Sequence, residues 1–350
     1  MVLTDIPRDP LLDLDPWVGQ RACTFTFTLV NAGTHDILGQ INPIRGSANL
    51  THDTGRTIKR QLILSLGTHD SANVNPVSDR VLLEMVFQNG ATYPLGRYMF
   101  TAPIKQKYTS GNLTSATMSD EMFLVDQPIL AGLGIGGPID SLIREVLKGL
   151  PIAYEIETSE YNSQESWAIG TTRGQILDAL SVTGDFFTPW FDNTGKFRMV
   201  RTFNPATRIP SIDLDQGNRV LRGSINEETD LLTAPNVFLV VSNASNGSTP
   251  IVGRATIPAT APHSVENRGF ELIQTQTLAL SDAGQAQSVA NGLVSRQTIF
   301  EKVTLTTPPD PRHDSYNVIR WDGANWLELS WSMQLEEGGT MTHVLRKGYR

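Results

Sequence analysis

The chain has 350 residues, 39% of them hydrophobic and 18% charged, a globular composition long enough for two or three units that each bury a core. Its formal charge is −8, from 28 basic and 36 acidic residues without a block of like charge, so stable docking on nucleic acid by phosphate neutralisation is disfavoured. One cysteine, Cys23, excludes an internal disulfide and a cysteine-based zinc cage.

The first 130 residues read as β-sheet. Cys23, Phe25, Phe27 and Leu29 alternate with Thr24, Thr26 and Thr28, the period of a half-buried strand, which makes Cys23 a small buried thiol. Strands are expected over 60–66 and 81–87. Asn89-Gly90 then supplies a hairpin turn, since both residues tolerate positive φ. Segments 98–107 and 113–122 flank a second turn at Ser110-Gly111. Five or more antiparallel strands in this stretch suggest a sandwich or barrel.

The middle changes character. Pro138 suits the first turn of a helix over 139–147, whose stripe is Ile139, Leu142, Ile143, Val146 and Leu147 and whose end is Gly149. A second helix over 173–182 turns Ile176, Leu177 and Leu180 inward. A hairpin follows, 186–191 and 196–200, around Asp192, Asn193, Thr194 and Gly195. These elements form a small α+β unit over 131–205. The remainder returns to β: a strand at 237–241, a helix from Ser281 as N-cap to Arg296, and hairpins at Trp321/Trp326 and Leu335/Thr340.

No chemical signature emerges. The glycines from Gly132 to Gly137 precede a helix, but Asp126-Gln127-Pro128 interrupts the strand that a dinucleotide fold needs. His35, His52, His69, His263, His313 and His343 contain no i,i+4 helical pair, and four lie in polar contexts, so satisfied surface histidines are expected. Asp213 and Asp215 are too few ligands for a calcium loop and read as a solvated strand edge. Trp321, Trp326 and Trp331 read as cross-strand packing, with sugar stacking as the alternative. No Gly-x-Ser-x-Gly elbow occurs. No catalytic, cofactor-binding or metal-ligating residue is therefore assigned, no cofactor is expected, and the chain does not read as an enzyme. The acidic, proline-containing N-terminus lacks the pattern of a signal peptide, and no apolar run approaches the ~20 residues of a membrane span. A soluble protein made in a reducing cytoplasm is expected.

The order of several short phrases resembles the tail-tip hub proteins of long-tailed bacteriophages. They are the strand from Arg80 to Val86, then Tyr93-Pro94-Leu95-Gly96-Arg97-Tyr98-Met99-Phe100, and Ser119-Asp120. Trp167-Ala168-Ile169-Gly170-Thr171-Thr172-Arg173 follows, then the hairpin over 184–199, Pro235-Asn236-Val237, the alanine-rich helix at 282–296 and Trp331-Ser332-Met333-Gln334-Leu335. These hubs are similar to the central baseplate hub of contractile phages. The resemblance implies a β-rich α+β chain with two tail-tube-like antiparallel β-barrels. The first barrel would span 1–130, the α+β domain 131–205, and the second barrel 206–350 with an inserted helical segment at about 246–299. It also implies a virion structural subunit at the tail tip, assembled in the host cytoplasm as a homotrimer. Its partners would be the distal tail protein, the tail tube protein, the tape measure protein and a tip spike or receptor-binding fibre, with DNA passing through without specific binding. The alternatives are a hexameric distal tail protein and a carbohydrate-binding or hydrolytic tail-tip protein.

Overall fold

The structure, a computed structural model, describes residues 22–108, 111–134, 136–215, 220–221, 225–229, 233–242, 250–278, 280, 282–296 and 301–348. The chain is β-rich, and most of its strands join one 13-stranded sheet that is antiparallel almost throughout. In the first half, Cys23–Asn31 lies between Ile37–Gln40 and Asp79–Phe87. From Asp79–Phe87 the order continues through Thr92–Tyr108, Gly111–Ser119, Arg60–Leu66 and Asn49–Asp53. The alternation is visible in Arg60–Leu66, where Leu62, Leu64 and Leu66 are buried while Ile63 faces out. Cys23 is buried in the same core, as expected. Residues Thr109 and Ser110, at the expected second turn, lie outside the described residues. The strand expected to reach Met122 ends instead at Ser119. There the Asp120 carboxylate accepts the amides of Arg60 and Met122, and the short helix Met122–Val125 begins.

One strand, Ala324–Gln334, connects the two halves. Along one edge its start pairs with Val318–Trp321 and its end with Asn49–Asp53; along the other it pairs with Met341–Lys347. A bulge between Glu328 and Ser330 marks the change of partner. Beyond Met341–Lys347 lie Glu301–Thr307 and Asn226–Thr229, and Ile212–Asp213 adds in parallel to Val318–Trp321. Two separate apolar clusters result. The first holds Phe27, Leu50, Leu64, Met85 and Met118 together with Trp331 and Met341. The second holds Ile212, Val303, Leu305, Ile319, Trp326 and Leu345.

The middle segment has its own core. Helices Ile139–Leu147 and Arg173–Thr183 pack over a three-stranded sheet of Tyr154–Ile156, Phe197–Met199 and Trp190–Phe191. Arg173–Thr183 starts where Thr172 and Gln175 exchange side-chain and backbone hydrogen bonds, a capping box. A further sheet joins Val237–Ser242 to Val252–Thr256 and Ile273–Leu278, and helix Ala283–Arg296 covers it. The expected boundary of the insertion, at about 246, lies outside the described residues. Among the described residues, the strand partners of Val237–Ser242, itself expected in the second barrel, are Val252–Thr256 and Ile273–Leu278. Ser281, the expected N-cap, lies outside the described residues; the Asp282 carboxylate accepts the Gln285 amide. Among the described residues no helix is long and apolar enough to cross a membrane.

Candidate functional site

The first sheet half, the α+β unit and the C-terminal strands meet around segment 307–317. Arg60, only 1% exposed in its side chain, reaches all three. Its guanidinium donates to Asp314 Oδ1 at 2.6 Å and to Asn193 Oδ1 at 2.5 Å, and it lies 5.7 Å over the Trp331 ring. Asn193 in turn donates to the carbonyls of Pro311 and His313, at 2.9 and 3.1 Å. The turn that carries Asn193 is thus a docking device as well as a hairpin end. Beside it, the buried Lys59 ammonium donates to Thr188 Oγ1 at 2.7 Å and to the carbonyls of Thr54 and Arg56. Burial pulls the Lys59 pKa down to about 8, against the attraction of Asp178, Asp120 and Asp53. Burial likewise pushes Asp120 up to about 6.

Asp192 behaves in the opposite way. Its carboxylate accepts from the Thr194 amide and hydroxyl, the Lys196 amide and Arg198 Nε, at 2.6–3.0 Å. Burial acts to raise its pKa, but these hydrogen bonds outweigh burial and hold the carboxyl below its ordinary range. A folded pKa below the unfolded value of about 3.9 adds stability above that pH, and the stability is lost as pH falls through the folded value. Asp192→Asn is therefore expected to lower stability at neutral pH and to flatten the acid limb below about pH 4. Urea denaturation across that range measures both, and an acid limb identical to wild type would contradict the assignment.

At the back of the junction lies a buried cluster. His313 Nδ1 stands 2.9 and 2.8 Å from Glu328 Oε1 and Oε2, and His343 Nδ1 stands 2.7 Å from Oε1. The imidazole rings lie 4.4 Å apart, tilted by 40°. Among the described residues this is the one group of three donors able to hold a metal ion. Burial lifts Glu328 to about 7 and lowers His313 to about 4. His52 adjoins the cluster, with Nε2 2.6 Å from Ser315 Oγ and its ring stacked 5.3 Å from Trp331.

The surface-histidine expectation fails for His52, His263, His313 and His343, all buried. Only His35 and His69 are exposed. The polar residues beside these histidines belong to strands and loops that other units cover, so local polarity misreads their depth. His313 comes from a loop and Glu328 and His343 from two neighbouring strands, which a search for helical spacing does not find. In the sequence Asn193 stands out only as a turn residue and Arg60 only as the start of a strand, and neither Glu328 nor Asp314 stands out; the signal for Glu328 is a carboxylate placed within the apolar run from Trp326 to Met333.

The other candidates take structural roles. Asp215 accepts the amides of Asp322 and Gly323 at 2.7 and 3.0 Å, fastening the tip of the adjacent hairpin, while Asp213 accepts the Asp215 amide. Trp321 and Trp326 pack with ring centroids 5.5 Å apart, and Trp326 Nε1 donates to the Trp321 carbonyl. Gly137-Pro138 pairs with Asn162-Ser163, and the first amide of the following helix, that of Ile139, is taken by the Tyr161 carbonyl. The protein itself thus uses a donor that a phosphate would need.

No protein-family model matches the sequence, and no curated protein matches it. Solved structures do. The 43 kDa tail protein of prophage MuSo2 from Shewanella oneidensis has a TM-score of 0.62 at 10% identity, over 92% of this chain and 98% of that one. Prophage tail protein gp18 from Listeria monocytogenes also gives 0.62, at 7% identity over 92% and 94%. The E. coli c3393 protein, a type VI secretion system component with structural similarity to bacteriophage tail proteins gp27 and gp5, gives 0.51 at 10% identity over 92% and 78%. At such identities the likeness is one of fold. The chain has the fold of phage tail and baseplate hub-like proteins.

Proposed function

We propose that this chain is a structural subunit of a phage-type tail tip, a baseplate hub that assembles as a trimer. The carrying observation is that 92% of the chain follows the fold of prophage tail proteins. Two features support the finer reading. The two ends of the shared strand Ala324–Gln334 enter separate apolar cores, Trp326 one and Trp331 with Met333 the other, which supports two barrels sharing that strand. At the ends of the large sheet, Ile37–Gln40 and Asn226–Thr229 are exposed at every residue, and open edges of this kind are ordinarily covered by neighbours. Three chains with two barrels each would form a pseudo-sixfold ring between a hexameric tube or distal tail ring and a threefold tip. Tape measure, tail tube and spike or fibre proteins are the partners this position supplies. Three copies carry a formal −24, three times −8, and a lumen of that sign lets DNA pass without binding. On this reading the protein is no enzyme, and the polar junction fixes the relative position of its parts.

Symmetry tests it. Electron microscopy of the chain co-expressed with neighbouring tail proteins is expected to show a threefold ring with six barrels around a pore. A sixfold ring would make it a distal tail protein. A stable monomer that cuts or retains cell-wall glycan would end the structural reading.

A further inference from the structure

We infer that His313, Glu328 and His343 bind one divalent transition-metal ion of the zinc class, which staples segment 307–317 to the strands Ala324–Gln334 and Met341–Lys347. The argument begins with a hydroxyl. Thr307 Oγ1 has one hydrogen, and it donates to the Pro308 carbonyl at 2.8 Å. The same oxygen lies 2.8 Å from His343 Nε2 and must therefore accept there. This places a hydrogen on Nε2 and leaves a lone pair on Nδ1 in the neutral ring. That lone pair points at a carboxylate oxygen 2.7 Å away, an arrangement that needs either a proton or a metal ion between the two atoms. His313 presents its Nδ1 to both oxygens of the same carboxylate, and its Nε2 is buried without a hydrogen-bond partner, so nothing fixes its tautomer against coordination.

Charge leads to the same conclusion. Glu328 is fully buried, and its ion-pair partners among the described residues are these two histidines, with no lysine or arginine. A buried carboxylate facing only neutral imidazoles needs a proton or a metal ion to offset its burial. Two imidazole nitrogens and one carboxylate make a three-ligand set, the fourth tetrahedral position being left for water, and imidazole favours zinc-like ions over magnesium or calcium. Bonds of about 2.0–2.1 Å separate tetrahedral ligands by about 3.3 Å, so nitrogen and oxygen need to part by only about half an ångström. All three ligands are buried, so the ion would be shut away from any substrate and would serve the fold. Thr307, 3% exposed, would be the outer partner that orients His343.

The test uses the full chain made without a histidine tag. Elemental analysis is expected to find one equivalent of zinc per chain. Adding zinc to chelator-treated protein should raise its melting temperature, and cobalt(II) exchange should give the visible absorption of a four-coordinate site. Thr307→Val preserves shape and is expected to weaken zinc affinity about 10–100-fold; Glu328→Gln should abolish stoichiometric binding. Folded wild type that carries no transition metal, and whose melting temperature ignores added zinc, would overturn the site and leave a cluster held by protons alone. Binding at unchanged affinity in Thr307→Val and Glu328→Gln would overturn it too, by placing the ion elsewhere. If Glu328→Gln does not fold, Thr307→Val and the wild-type cobalt spectrum decide.

Discussion

Arg60→Leu is expected to lower the unfolding free energy by about 3–5 kcal/mol, the cost of removing one member of a buried ion pair while its partners remain. The guanidinium serves Asp314, Asn193 and the ring face of Trp331 at once. Leucine would leave the Asp314 carboxylate, whose side chain is 25% exposed, without its cation. The Asn193 carbonyl would also lose its donor inside the junction. Because Asn193 holds Pro311 and His313, the loss should spread to the seating of the whole 307–317 segment. Denaturant unfolding measures the total. The double variant Arg60→Leu/Asp314→Leu separates the pair from the packing, and it is expected to recover part of the loss, since replacing both charges removes the orphan. A single-variant cost below about 1 kcal/mol, the range of an exposed pair, would mean that water reaches the site.

The parts of the fold legible in the sequence are those governed by neighbours in the chain. Leu62, Leu64 and Leu66 announce their strand by alternation, and Ile139, Ile143, Val146 and Leu147 announce their helix by the 3.6-residue stripe. Asp192 through Gly195 were readable as a turn because polar residues and a glycine close it. The joins were not readable. Asn49–Asp53 meets Ala324–Gln334 across most of the chain, and no local pattern of either segment names the other. The same holds for the buried histidines: His313 and His343 each lie fifteen residues from Glu328, and only the path of two neighbouring strands and a returning loop brings them to one point. Val237–Ser242 shows a third limit. Its apolar run announces a buried strand but cannot say which sheet buries it.

The unit that captures Val237–Ser242 depends on one glycine. Gly253, in the central part of Val252–Thr256, lies directly beneath helix Ala283–Arg296, so close that a Cβ would overlap the Ala286 carbonyl group and come within 2.6 Å of the Gln287 nitrogen. These are backbone atoms near the start of the helix and cannot rotate aside as a side-chain tip would. Gly253→Ala is therefore expected to cost about 3 kcal/mol, the upper range for overpacking by a single carbon, although alanine suits a strand no worse than glycine does. The damage should be local. The helix stripe Ala286, Val289 and Ala290 would lift from Val240 and Ala255, whereas Leu62, Leu64 and Met118 belong to a separate core. Hydrogen exchange is expected to show early loss of protection in Val237–Ser242, Val252–Thr256 and Ala283–Arg296, with Arg60–Leu66 unchanged. Uniform loss across the chain would instead mean that the small sheet and the large one unfold as a single cooperative body. In that case the small sheet would carry load together with the large one rather than hang from it as an appendage.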